Sequence, residues 1–138
     1  MDCPDWLGER VEALAGRKVA SWRHVEGGGF TPSERWVVGF DDGRSAFVKG
    51  GTEVNADVAG WLRVEHLVYS HVEGPFMPRL LGWDDGGGHQ AVLLLEDLSW
   101  ADWQATWTQE RIDRVLATLD AILALPWAAK MLGLPPPE

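Results

Sequence analysis

Apolar and polar positions alternate along this chain in two periods. Trp6, Leu7, Val11, Leu14 and Ala15 recur near helical spacing, which predicts a helix from Asp5 to Gly16, stopped by the glycine. Lys18 to Val25 carries a weak strand pattern. Arg35 to Phe40 alternates, with Trp36, Val38 and Phe40 on one side. Asp41-Asp42-Gly43 is a tight-turn signal, and Arg44 to Lys49 returns as the partner strand. Gly50-Gly51 breaks that strand, Asn55 to Val72 reads as a helix, and Gly74-Pro75 ends it. Arg79 to Trp83 and His89 to Leu95 read as a second hairpin around Asp84 to Gly88. Thr108 is a predicted N-cap for a last helix reaching about Leu125. Sequential hairpins with an intervening helix predict an α+β fold: an antiparallel sheet of about five strands, one helix packed on it, and a further helix at each end.

Within the middle helix, Val54, Val58, Trp61, Val68 and Val72 follow steps of four, three, seven and four. Glu65 falls on the same register, on or at the edge of that stripe. A carboxylate on an apolar face calls for a nearby cation. Lys49, at the end of the preceding strand, is the candidate; Arg63 lies on another face. A stripe-edge glutamate reaching water fits the same spacing.

The chain has 138 residues, enough for a real core, and 46% are apolar. Its net charge of −9 argues against non-specific attraction to nucleic acid or an anionic membrane surface. An anionic ligand has to be held by a local pocket against the overall field. The single cysteine, Cys3, rules out an internal disulfide and suits a reducing compartment. The acidic start lacks a hydrophobic signal core, and no apolar run approaches the about 20 residues of a membrane span. A cytoplasmic location is the expectation. Nine tryptophans are many for this length; they either fill a small core or face a partner.

The candidate chemistry sits in the first half. Gly27-Gly28-Gly29-Phe30-Thr31-Pro32-Ser33 joins two strands. Consecutive glycines let backbone amides approach a ligand closely, and Thr31 and Ser33 add hydroxyls suited to phosphate oxygens. A flexible hairpin loop would read the same way. Lys49 ends Ala46-Phe47-Val48-Lys49, with Ser45, Phe47 and Lys49 on one strand face. Lysine is scarce here (Lys18, Lys49, Lys130), so one in an apolar strand stands out, though a strand-end surface lysine also fits. Ala91 to Leu95 is a continuous apolar run ending abruptly at Glu96-Asp97-Leu98, where backbone groups could pair with a flat heterocycle or simply leave the sheet.

Together these motifs resemble the small lobe of the aminoglycoside phosphotransferase family, within the protein-kinase-like fold. The similarity is greatest to actinobacterial-type members, in the turn Gly28-Gly29-Phe30-Thr31-Pro32, the strand ending in Lys49, Glu65 in the helix, and Leu94-Leu95-Glu96-Asp97-Leu98 as the linker. The resemblance implies a nucleotide-binding lobe over 1–98 and, over 99–138, a linker and helix that lead to a large lobe. It implies that Gly28, Gly29, Phe30, Thr31 and Ser33 cover a triphosphate, that Lys49 contacts the α- and β-phosphates and that Glu65 orients it. Backbone groups near Glu96 and Leu98 would meet adenine. The implied cofactor is ATP, or GTP in some members, with Mg2+ only where a large lobe is supplied; whole members transfer the γ-phosphoryl group to a small-molecule hydroxyl.

One departure is decisive for catalysis. That chemistry needs a His-x-Asp loop, a following asparagine and a later metal-binding aspartate. None of His24, His66, His71 and His89 has an aspartate two residues on, and the only asparagine is Asn55. No catalytic or metal-binding residue is therefore assigned; Asp84, Asp85, Asp97 and Asp102 read as solvated turn and connector residues. Two expectations follow. One is the ATP-binding lobe of a small-molecule kinase, a truncated product or a piece of a longer chain, inactive alone. The other is a non-catalytic module that binds a large-lobe partner, or itself, through the apolar face over 100–125, where Ile112, Val115, Leu116, Leu119, Ile122 and Leu123 form a stripe behind Trp100, Trp103 and Trp107.

Overall fold

The computed structural model describes residues 2–27, 29, 31–103 and 106–125. In chain order the elements are α1 (Asp5–Ala15), β1 (Val19–His24), β2 (Glu34–Phe40), β3 (Ser45–Gly50), α2 (Asp57–His71), β4 (Leu80–Asp84), β5 (Val92–Glu96) and α3 (Gln109–Leu123). The chain divides into two compact units, Met1–Ser99 and Trp100–Glu138.

The first unit is an α+β layer arrangement of the kind seen in a kinase-like small lobe, with a five-stranded antiparallel sheet in the order β1-β2-β3-β5-β4. Strict alternation gives each inner strand two apolar faces. Trp36, Val38, Phe40, Ala46, Val48, Val92 and Leu94 pack with Leu7 and Val11 of α1 on one side. Leu93 and Leu95 pack with Val58, Ala59 and Leu62 of α2 on the other, joined by Phe47, Tyr69, Leu80 and Trp83. The N-terminal helix is thus a full layer of the core. Gly16 ends it in a left-handed conformation at φ 66°, its N–H returning to Glu12 O. Trp36 is buried with its Nε1 donating to Glu34 Oε2 at 2.9 Å, so the indole brings no unpaired donor into the core.

The predicted hairpins form as expected. Phe40 N donates to Arg44 O across Asp41-Asp42-Gly43, with Gly43 at φ 84°. Gly86, Gly87 and Gly88 take positive φ between β4 and β5. The stripe expected on α2 is corrected. Val54 precedes the helix and is 94% exposed, and Trp61 is 43% exposed. The buried set is Val58, Ala59 and Leu62. Glu65 stays on the inner face because it lies three residues after Leu62 and seven after Val58.

The tryptophans split between both expectations. Trp36 is buried and Trp6 and Trp22 pack against its cluster, whereas Trp100, Trp103 and Trp107 are largely exposed. In the second unit Thr108 caps α3, its Oγ1 accepting from Arg111 N at 3.3 Å. No α3 residue is buried. Among the described residues no helix is long and apolar enough to cross a membrane.

Candidate functional site

Lys49 and Glu65 meet across the β3–α2 interface. Lys49 Nζ donates to Glu65 Oε1 at 3.0 Å and Oε2 at 2.7 Å, and both side chains keep partial exposure, 22% and 29%. An ammonium has three donors. Two are spent on the carboxylate, which leaves one to meet a ligand oxygen. Arg63 does not compete, because it makes its own paired bonds to Asp85, Nη2 to Oδ1 at 2.7 Å and Nε to Oδ2 at 3.1 Å.

The sheet register sets what lies beside Lys49. Arg35 on β2 is its direct cross-strand partner, and Leu93 on β5 is its partner on the other side. Directly opposed residues share a face, so Arg35 and Lys49 form a cationic row. The next row on that face, about 7 Å along the strands, is Val37, Phe47 and Leu95, apolar throughout. A flat ring on the apolar row would thus place an attached phosphate chain toward the cations.

The glycine turn is described at Gly27 and Gly29; Gly28 and Phe30 lie outside the described residues. Gly27 adopts φ 74°, a conformation that suits glycine. At Gly29 a Cβ would press on Arg35 Nη1, the movable end of a long side chain. Thr31 Oγ1 and Ser33 Oγ lie 3.4 Å apart and both residues are half-buried. Arg35 is the site residue that sequence reading missed. Its signal was available, since it alternates with Trp36, but its pairing with Lys49 depends on register.

At the end of β5, Glu96 is tied into the sheet. Its N–H donates to Arg79 O at 2.9 Å and its Oε2 accepts from Arg79 N at 3.1 Å. Leu98 follows in the connector. Burial pushes the Asp97 carboxyl up, but hydrogen bonds from Ser99 and Ser45 outweigh it and hold the group below the ordinary aspartate range. Asp84, Asp85 and Asp102 face Arg10, Arg63 and Arg111. Among the described residues no group of three or more His, Cys, Asp or Glu side chains is placed to hold a metal. Two open hollows lie against α1, of about 790 and about 540 Å3. Glu9 and Glu12 line both, which makes them poor seats for phosphate.

No protein-family model matches the chain, and no curated protein matches it. Among solved structures it is similar to a crystal structure from Thermobifida fusca, provisionally described as a fructosamine-3-kinase, at 27% identity and a TM-score of 0.53. The likeness covers 73% of this chain and 33% of that one, so the chain spans about a third of its neighbour. It does not single out aminoglycoside phosphotransferases. It places the chain, with its antiparallel sheet and two covering helices, in a protein-kinase-like phosphotransferase fold.

Proposed function

We propose that this chain is the nucleotide-gripping lobe of a small-molecule kinase, one that moves the γ-phosphoryl group of ATP to a hydroxyl. The observation that carries the reading is Lys49 held by both oxygens of Glu65. An ammonium fixed in this way can meet phosphate oxygens without first being ordered, which reduces the entropic cost of binding. Thr31 and Ser33 offer hydroxyls, and Val37, Phe47 and Leu95 offer an apolar bed for the base. The likeness to a protein described as a fructosamine-3-kinase favours a sugar-derived acceptor. These 138 residues contain no His-x-Asp loop, so they supply the nucleotide half of such a site. Calorimetry with ATP, with and without Mg2+, tests this. Binding that is lost in Lys49→Ala supports the reading; no heat up to millimolar ATP overturns it.

A second reading, a module acting through partner binding or self-association, has one observation in its favour. The α3 stripe leaves Leu116 55%, Leu119 49% and Leu123 65% exposed. Sedimentation across a concentration series separates the two: association that Leu116→Glu abolishes supports the module, and a clean monomer counts against it.

A further inference from the structure

We propose that Arg35 is a second phosphate-binding cation, seated beneath the glycine turn; the inference rests on the nucleotide reading above and adds a residue to that site. Three observations converge on it.

The first is position. Arg35 and Lys49 are direct cross-strand partners on one face of the sheet. Their Cβ atoms are therefore about 5 Å apart, and like charges so placed destabilise a sheet unless an anion lies between or beside them. Glu65 gives both oxygens to Lys49, and among the described residues no carboxylate pairs with Arg35.

The second is the state of the guanidinium. Arg35 Nε is buried and has no hydrogen-bond partner among the described residues. Every other arginine has an acceptor: most face a carboxylate, and Arg23 reaches Ser99 Oγ. A buried, unpaired donor on a charged group is costly, and a ligand oxygen would remove that cost.

The third is the turn itself. Nη1 lies against Gly29, so a Cβ there would press the guanidinium aside. A planar fork that can make two parallel bonds to phosphate, set beside Lys49, is a recognition element for a phosphate chain. In a chain of net charge −9, a second local cation also offsets the repulsion of a polyanion.

The test compares wild type, Arg35→Gln and Gly29→Ala in binding ATP, adenosine and inorganic tripolyphosphate, with thermal unfolding confirming that each variant folds. Both substitutions are expected to weaken ATP and tripolyphosphate by about tenfold to a hundredfold, the range of one charge-assisted interaction, and to leave adenosine unchanged. Gly29→Ala acts by displacing the guanidinium and serves where Arg35→Gln does not fold. Equal losses for ATP and adenosine would mark Arg35 as structural and overturn the proposal, as would variants that bind like wild type. Wild type that binds tripolyphosphate but not ATP would sink the nucleotide reading and keep the anion site, provided Arg35→Gln loses it. Wild type that binds neither overturns both.

Discussion

Lys49 Nζ sits 2.7 Å from Glu65 Oε2 and 3.0 Å from Oε1, a strand cation and a helix carboxylate joined across the face of the sheet that α2 covers. The pair ties α2 to β3 and leaves the ammonium partly exposed. Removing either partner leaves the other half-buried and unpaired. Lys49→Ala or Glu65→Ala should therefore cost about 1–3 kcal/mol of stability, and the two substitutions together less than the sum. Chemical denaturation of the singles and the double checks this; strict additivity would mean that the contact contributes nothing of its own.

The inner face of α2 can be tested separately. Leu62→Ala should cost about 2–4 kcal/mol, because Leu62 is buried against Ala91, Leu93 and Leu95, whereas Trp61→Ala should cost under about 1 kcal/mol. The reverse order in urea unfolding would restore the stripe read from sequence alone.

Two glycines should respond with opposite signs. A Cβ on Gly51 would strike the His89 carbonyl oxygen where the chain leaves β3, and Gly51 N already donates to Ala91 O at 2.9 Å. Gly51→Ala is expected to destabilise by about 1–3 kcal/mol. Gly60 lies inside α2 with open space at its Cβ position, so Gly60→Ala should stabilise by about 0.5–1 kcal/mol. Melting temperatures of the two variants decide both signs.

His66 stacks on Trp83 with centroids 4.6 Å apart. Burial holds its imidazole below the ordinary value of about 6.5, His71 adds to this, and Asp85 opposes it. The folded state therefore binds the proton less well than the unfolded chain. The contribution is fully present above the unfolded value and is lost as pH falls through about 6.5 toward the lower folded value. His66→Phe keeps the stacking and removes the titration, so its melting temperature should fall less than that of wild type between pH 7 and pH 5. Parallel curves would remove His66 as the cause.

Burial and the neighbouring Glu34 carboxylate push the Cys3 thiol up to about 11. Alkylation at pH 8 should run on the order of a hundredfold more slowly than for an ordinary cysteine. A rate matching free cysteine would show that the α1 start does not shield it.

Much of this was legible along the chain. Period-two alternation named the faces of β2 and β3, the Asp41-Asp42-Gly43 turn announced the first hairpin, Thr108 announced α3, and Glu65 called for a cation that proved to be Lys49. These are local: they follow from backbone conformation, side-chain period and the cost of burying a charge. Other relationships could not be read that way. β5 inserts between β3 and β4, so strands far apart in the chain become neighbours. The rotation of α2 turns Leu62 inward and leaves Trp61 partly in water. The register of β2 against β3 sets Arg35 opposite Lys49 and beneath Gly29. A slip of one residue would turn Arg35 to the α1 side with no change in sequence. Only packing across the whole sheet selects that register, and with it the arginine that stands beside Lys49.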